Sequence, residues 1–193
     1  MILQRVKKIT SASVVPIFLL VIFYMLKWME IKMGWDFTHL GVYPLARRGC
    51  FGIFAHPMVH SSFSHLVINT PPFLLLSCCL YYFFKNKASY ILFSIWIGCG
   101  ILTFLIGAPG WHIGCSGLIY GLAFFLLLES ILQRRKALLY IVIPVFCVYS
   151  SLIWNMLPHF AVKGTSWQGH LSGAIAGILC ACTDIYLSHH PKR

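Results

Sequence analysis

The chain has 193 residues, of which 59% are apolar and only 10% charged, with a mean hydropathy of +0.81. A soluble domain carries roughly 25% charged residues to solvate its surface, so an ordinary soluble fold, a disordered chain and a secreted disulfide scaffold are all excluded. The net charge of +11 comes from 15 Lys and Arg against Glu30, Asp36, Glu129 and Asp184. Those basic residues lie in short clusters between apolar runs, as topology signals do, with no polar surface that could track a nucleic acid. The composition is that of an integral membrane protein whose partner is the lipid bilayer.

In chain order, residues 1–10 read as a cytoplasmic N-terminal tail and 11–187 as a membrane-embedded core. A span needs about 20 mostly apolar residues. Six runs qualify: Ser11–Trp28, Phe63–Phe84, Ser89–Ala108, Cys115–Leu132, Leu138–Leu157 and Gly169–Leu187. The first follows Arg5, Lys7 and Lys8 but lacks a small-residue cleavage pattern, so it reads as a retained span. Residues 30–62 form a long outer loop rich in Trp, Phe, Tyr, Gly and Pro, which suits a segment lying in the interface or a small folded cap. Residues 158–168 precede the sixth span, and 188–193 form a C-terminal tail. The 8 cysteines show no paired CxxC pattern, and most fall within apolar runs, where a thiol packs as a small hydrophobe.

Orientation follows from the connections. Arg5, Lys7, Lys8, Lys85, Lys87, Arg134, Arg135, Lys136, Lys192 and Arg193 fall on one side, against Lys32, Arg47, Arg48 and Lys163 on the other, with Lys27 at the boundary. The positive-inside rule places both termini in the cytoplasm, which agrees with an even number of spans.

Polar residues inside spans are costly and mark function. His65 and Asn69 share one face of the second span at i, i+4. Ser116 opens the fourth span with Tyr120 at i+4, and His170 opens the sixth. All three spans start on the outer side, so these groups share one layer. Gly117 with Gly121, and Gly169 with Gly173 and Gly177, make small-residue rows that let helices approach closely. Serine needs a base to act as a nucleophile, and His170 is the candidate. No carboxylate is placed to orient that base: Asp184 lies about 21 Å further along the helix, and Glu129, Glu30 and Asp36 are elsewhere. Any nucleophilic site here is a Ser–His dyad. The Ser116 N–H at a helix start, with Asn69 and His65, supplies donors for an oxyanion.

These residues resemble the rhomboid intramembrane serine proteases, particularly the bacterial GlpG type. The nucleophile motif Gly-x-Ser-Gly with a following Tyr is matched by Gly114, Ser116, Gly117 and Tyr120. The histidine with glycines at +3 and +7 is matched by His170, Gly173 and Gly177, and the His-x-x-x-Asn pattern by His65 and Asn69. His56 and His60 match a histidine-rich stretch ahead of that pattern. The resemblance implies an all-α, six-helix rhomboid-like bundle in the bacterial inner membrane, with the site opening to the outer side. It implies Ser116 as nucleophile and His170 as general base and acid. The oxyanion would be held by Asn69, His65 and the Ser116 N–H, with Tyr120, Gly114, Gly117 and Gly173 supporting. Loop 158–168 would be a cap, with the fifth span as a mobile wall. Substrates would be transmembrane helices cut near their outer end; no cofactor, metal or nucleic acid is expected.

Other readings fit less of the sequence. A zinc hydrolase of the HExxH type needs a Glu that the histidine-rich stretch lacks. Haem ligation by His65 and His170 leaves Ser116, Tyr120 and Asn69 unexplained. A transporter would place its polar residues nearer the midplane, although Pro71-Pro72 and Pro144 would suit broken helices. A proteolytically inactive rhomboid-like protein that binds membrane helices is the remaining alternative; it predicts loss of Ser116 or His170, and both are present.

Overall fold

The computed structural model describes residues 2–148, 151–161 and 164–190. The helices in chain order are α1 (Ile2–Met33), α2 (Gly52–Ala55), α3 (Phe63–Phe84), α4 (Ala88–Ile106), α5 (Ser116–Leu132), α6 (Lys136–Val148), α7 (Ser151–Trp154) and α8 (Trp167–His189). Short 3₁₀ turns occupy Thr38–Leu40, Arg47–Gly49, His56–Met58 and Lys85–Lys87. The only β-type pairing among the described residues is an isolated antiparallel bridge between Val42 and His112. The protein is an all-helical membrane protein. By length and apolarity, Val6–Met33, Phe63–Ile106 and Trp167–His189 can cross a bilayer, and α5 and α6 are shorter apolar helices.

The helical stretch Phe63–Ile106 is 44 residues long, about 66 Å if straight and far beyond one bilayer. Lys85, at φ +46, breaks it, and the chain doubles back. The outer loop leads into the start of α3, and Leu45 N–H of that loop bonds the Phe104 carbonyl near the end of α4 at 3.1 Å. The two helices are therefore antiparallel.

Helix α1 begins ahead of the apolar run that opens at Ser11. It starts at Ile2 and runs 32 residues, so residues 2–10 are helical. Lys and Arg are good helix formers and no breaker precedes Ser11. Pro16, Pro71, Pro72 and Pro144 all sit inside helices, so the Pro71-Pro72 pair does not break α3. The fifth expected span corresponds to α6 followed by α7, with residues 149 and 150 between them outside the described residues. Lys163, Lys192, Arg193, two positions of the expected cap and the end of the C-terminal tail also lie outside them.

Helix α5 is central. Gly117–Ala123 is buried without a gap, as a helix apolar all round requires, and α5 packs on α3, α4, α6 and above all α8. Phe73, Leu76 and Leu80 of α3 join Ile91, Leu92 and Ile95 of α4 and Leu118, Leu122, Phe125 and Leu126 of α5 in one fully buried core. Phe18 and Met25 of α1, Phe93 and Leu105 of α4 and Leu179 of α8 are exposed, which suits a lipid-facing rim.

One cluster of charged residues gathers at the end away from the outer loop. Lys8 lies 3.8 Å over the Tyr82 ring, Lys87 pairs with Asp184 at 2.8 Å, and Arg135 lies 3.7 Å from Glu129. The start of α1 and the end of α8 therefore share a side, opposite to Ser116 and His170.

The outer loop is folded. Arg48 stacks on Tyr43 at 3.7 Å and reaches Trp111, while the Trp96 indole N–H donates to the Phe54 carbonyl at 2.8 Å. Leu45, Phe51 and Phe54 remain exposed, as interfacial residues would.

Candidate active site

Three helix starts meet at the end opposite the charged cluster. Gly114 takes φ +104, a left-handed conformation that a side chain resists, and its N–H bonds the His56 carbonyl at 2.9 Å. A Cβ there would come within 2.9 Å of His65 Cε1, so the glycine also lets the His65 ring pack on the turn. The Cys115 N–H is taken by His60 Nε2 at 3.3 Å. That leaves the Ser116 N–H, at the first position of α5, without an intrahelical acceptor.

Close helix packing brings Ser116 and His170 together. A Cβ on Gly117 would lie 2.9 Å from the Gly169 carbonyl, and one on Gly121 equally close to that of Gly173. Cβ atoms on Gly173 and Gly177 would overlap the carbonyls of Gly117 and Gly121. Across this seam His170 Nε2 is 3.0 Å from Ser116 Oγ. His170 Nδ1 is 3.0 Å from the Asn155 carbonyl oxygen, which can only accept. Nδ1 therefore carries the proton, and Nε2 presents its lone pair to the serine hydroxyl. Tyr120 stacks on the His170 ring, with centroids 4.3 Å apart and planes within 7°. His170 is 6% exposed.

The other expected residues fall as follows. Asn69 is 8% exposed, one turn below His65 on α3, and its Nδ2 has no hydrogen-bond partner among the described residues. An unpartnered buried donor is costly and is available to a ligand. His65 Nδ1 meets the Ser61 hydroxyl at 3.1 Å. The three neighbouring histidines do not share one centre: His56 Nδ1–H donates to the Gly52 carbonyl at 2.9 Å, while the His60 and His65 rings meet edge-on at 5.3 Å with His60 Nε2 on Cys115 and His65 Nδ1 on Ser61. Glu129 and Asp184 stay in the charged cluster at the far end.

Asn155, His112 and Ser166 were not legible as site residues. Asn155 acts on His170 through a backbone carbonyl, which no side-chain pattern reveals. His112 reads from sequence as a bland loop residue, yet it is buried and bonds Ser166. Ser166 caps α8 by accepting the Gly169 N–H at 3.0 Å, and a Ser three residues ahead of a helical Gly was the available signal.

The outer-loop histidines carry a pH signature. Burial pushes His56 down to about 4 and His60 to about 3, below the value near 6.5 expected in the unfolded chain. The unfolded chain thus takes up protons that the folded one refuses, and stability rises with pH across that window. Melting temperature should be highest above about pH 6.5 and fall as pH drops toward 4, with a shallower slope in His56→Phe. An unchanged slope in that variant would remove His56 from this account.

The sequence model of the family described as Rhomboid domain matches residues 47–187. An uncharacterized protein of Mycobacterium tuberculosis is 33% identical over 177 residues, 88% of this chain and 72% of its own length. An uncharacterized protein of Mycobacterium leprae is 35% identical over 150 residues, 74% of this chain and 58% of its own length. A protein of Acanthamoeba polyphaga mimivirus named as a rhomboid protein is 27% identical over 125 residues, 62% of this chain and 67% of its own length.

Proposed function

The chain belongs to the rhomboid family, and from that membership and the geometry above we propose that it is an intramembrane serine protease. On this reading α1, α3, α4, α5, α6 with α7, and α8 each cross a bacterial inner membrane. Residues 11–187 form the catalytic core, both termini are cytoplasmic, and the site opens outward under a cap at residues 158–168. The observation that carries the reading is the Ser116–His170 hydrogen bond with a defined tautomer. Helix packing without function does not require a serine hydroxyl aimed at an imidazole lone pair.

The chemistry follows from these atoms. Ser116 Oγ attacks the carbonyl carbon of a peptide bond at the outer end of a substrate helix as His170 Nε2 takes the hydroxyl proton. The carbonyl oxygen becomes an oxyanion facing the Ser116 N–H and Asn69 Nδ2. His65 adds a third donor when Ser61 donates to its Nδ1, which leaves the proton on Nε2. The intermediate collapses as His170 passes its proton to the departing amine nitrogen, leaving an acyl ester on Ser116. Water then attacks the ester, giving a proton to His170, which returns it to Ser116 as the acid is released. The Asn155 carbonyl and the stacked Tyr120 hold the imidazole throughout, in the place a carboxylate would take.

Reconstituted in liposomes with a single-pass substrate helix, the protein should yield two fragments cut near the outer end of that helix. A serine-reactive fluorophosphonate should abolish the activity and EDTA should not. The reverse pattern would replace the serine mechanism with a metal one.

Asn69→Ala separates catalysis from packing. Loss of an oxyanion donor acts in the transition state, so kcat should fall by about 10-fold or more with little change in KM. A residue that only glues helices contributes about 0.6 kcal/mol in membranes, and its loss lowers the melting temperature while kcat per folded molecule is kept. Measuring both on one preparation decides between them.

A further inference from the structure

A second histidine–hydroxyl pair lies beside the dyad, and we propose that His112 and Ser166 clamp the start of α8 and thereby set His170 against Ser116. Both are positioning residues; the proposal rests on the protease reading and deepens it.

The ring of His112 is held at both nitrogens. Nε2 is 2.9 Å from the Ala108 carbonyl oxygen, which only accepts, so Nε2 carries the proton and Nδ1 the lone pair. Nδ1 is 2.5 Å from Ser166 Oγ, so the Ser166 hydroxyl donates to it. The same oxygen accepts the Gly169 N–H at 3.0 Å, and the Ser166 carbonyl accepts the His170 N–H at 3.1 Å. Every polar atom through which Ser166 touches α8 is thus tied to the residue that carries the base or to its neighbour.

The backbone of His112 is equally constrained. It exchanges hydrogen bonds with Val42 at 2.8 and 3.0 Å, and Val42 is fully buried. Space is cleared by glycine: a Cβ on Gly107 would lie 2.9 Å from His112 Nε2, and one on Gly41 would lie 2.8 Å from the His112 carbonyl oxygen. His112 and Ser166 also line the small chamber that Ser116 borders.

The arrangement exceeds what capping needs. An N-cap serine has only to accept one or two orphan N–H groups; here its own proton is directed as well, which removes the hydroxyl's remaining freedom. The acceptor is four residues ahead of Ser116, and the donor is four residues ahead of His170. The pair joins the approaches to the two helices at equal sequence separation from Ser116 and His170, so a shift at the clamp is delivered to the Ser116–His170 distance.

The test uses full-length protein in liposomes, with kcat and KM normalised to folded, monodisperse enzyme. His112→Phe keeps the ring's bulk and loses both nitrogens, and Ser166→Ala loses the hydroxyl. Each should lower kcat roughly 10- to 100-fold with KM within about twofold, as a misplacement near 1 Å does. His112→Asn puts a carbonyl oxygen near the place of Nδ1 and should recover most of the loss, as should Ser166→Thr. His112→Gln reaches the Ala108 side instead and should behave like His112→Phe. Wild-type kcat in His112→Phe or Ser166→Ala, or Asn no better than Gln, overturns the proposal. A double-mutant cycle of melting temperatures on His112→Phe and Ser166→Ala tests the contact without any substrate: non-additivity is expected, and additivity overturns it. Wild-type protein that cleaves nothing, or Ser116→Ala that cleaves normally, instead sinks the protease reading on which the proposal rests.

Discussion

Ser116→Ala and His170→Ala are each expected to abolish cleavage of a reconstituted transmembrane substrate, with expression and melting temperature close to wild type. The serine hydroxyl is a weak nucleophile until its proton has somewhere to go, and the 3.0 Å contact with His170 Nε2 provides that place. Neither side chain is part of the apolar core, and the glycine seam that packs α5 against α8 remains when either is removed. Dyad members act as a unit, and the double variant should be hardly worse than either single one. The loss should be several orders of magnitude in kcat, of the kind that removing a nucleophile or its base produces elsewhere. Near-normal turnover in Ser116→Ala would end the serine mechanism, whatever the family. Losses in the two singles that multiplied in the double variant would mean that the two residues act independently.

Gly173→Ala should also be damaging, though less so, by a different route. A Cβ at Gly173 would fall on the Gly117 carbonyl, a backbone atom that cannot rotate away. Helices α5 and α8 must then separate, and they carry Ser116 and His170. Overpacking of this kind costs roughly 1–3 kcal/mol, which should appear as a lower melting temperature. The larger effect is on geometry: opening the seam by about 1 Å lengthens the dyad hydrogen bond and should lower kcat on the order of 100-fold. Gly98→Ala is the contrast, because its Cβ would meet only the Ala176 Cβ at 3.2 Å, which a small shift relieves. Gly173→Ala with wild-type kcat would show that the dyad tolerates a wider seam than its geometry implies.

Much of the candidate site is legible in the sequence because it is written in short-range spacing. Tyr120 follows Ser116 by one helical turn and Asn69 follows His65 by one, so each pair shares a face before any tertiary contact is known. The glycine rows of α5 and α8 mark the seam for the same reason. The membrane class is legible because 10% charge cannot solvate a 193-residue surface. What escapes the sequence is contact between residues far apart in it. His112 and Ser166 are 54 residues apart, and only the folded loops bring them within bonding distance. Asn155 contributes a carbonyl, an atom every residue has, so its identity carries no signal. The start of α1 is not legible because Arg5, Lys7 and Lys8 mark topology and favour helix alike, and the helix begins at Ile2. The outer loop lacks any repeated pattern, so its docking through Val42 and Arg48 had to come from structure.

On the protease reading, Ser116 Oγ is activated by His170 for covalent attack. The most direct measurement is peptide-level mass spectrometry of the reconstituted protein after treatment with a fluorophosphonate. A single phosphonyl adduct on Ser116, forming in step with loss of cleavage and absent from His170→Ala, is the expected result. An adduct on another residue, or full inactivation with Ser116 unmodified, would contradict it.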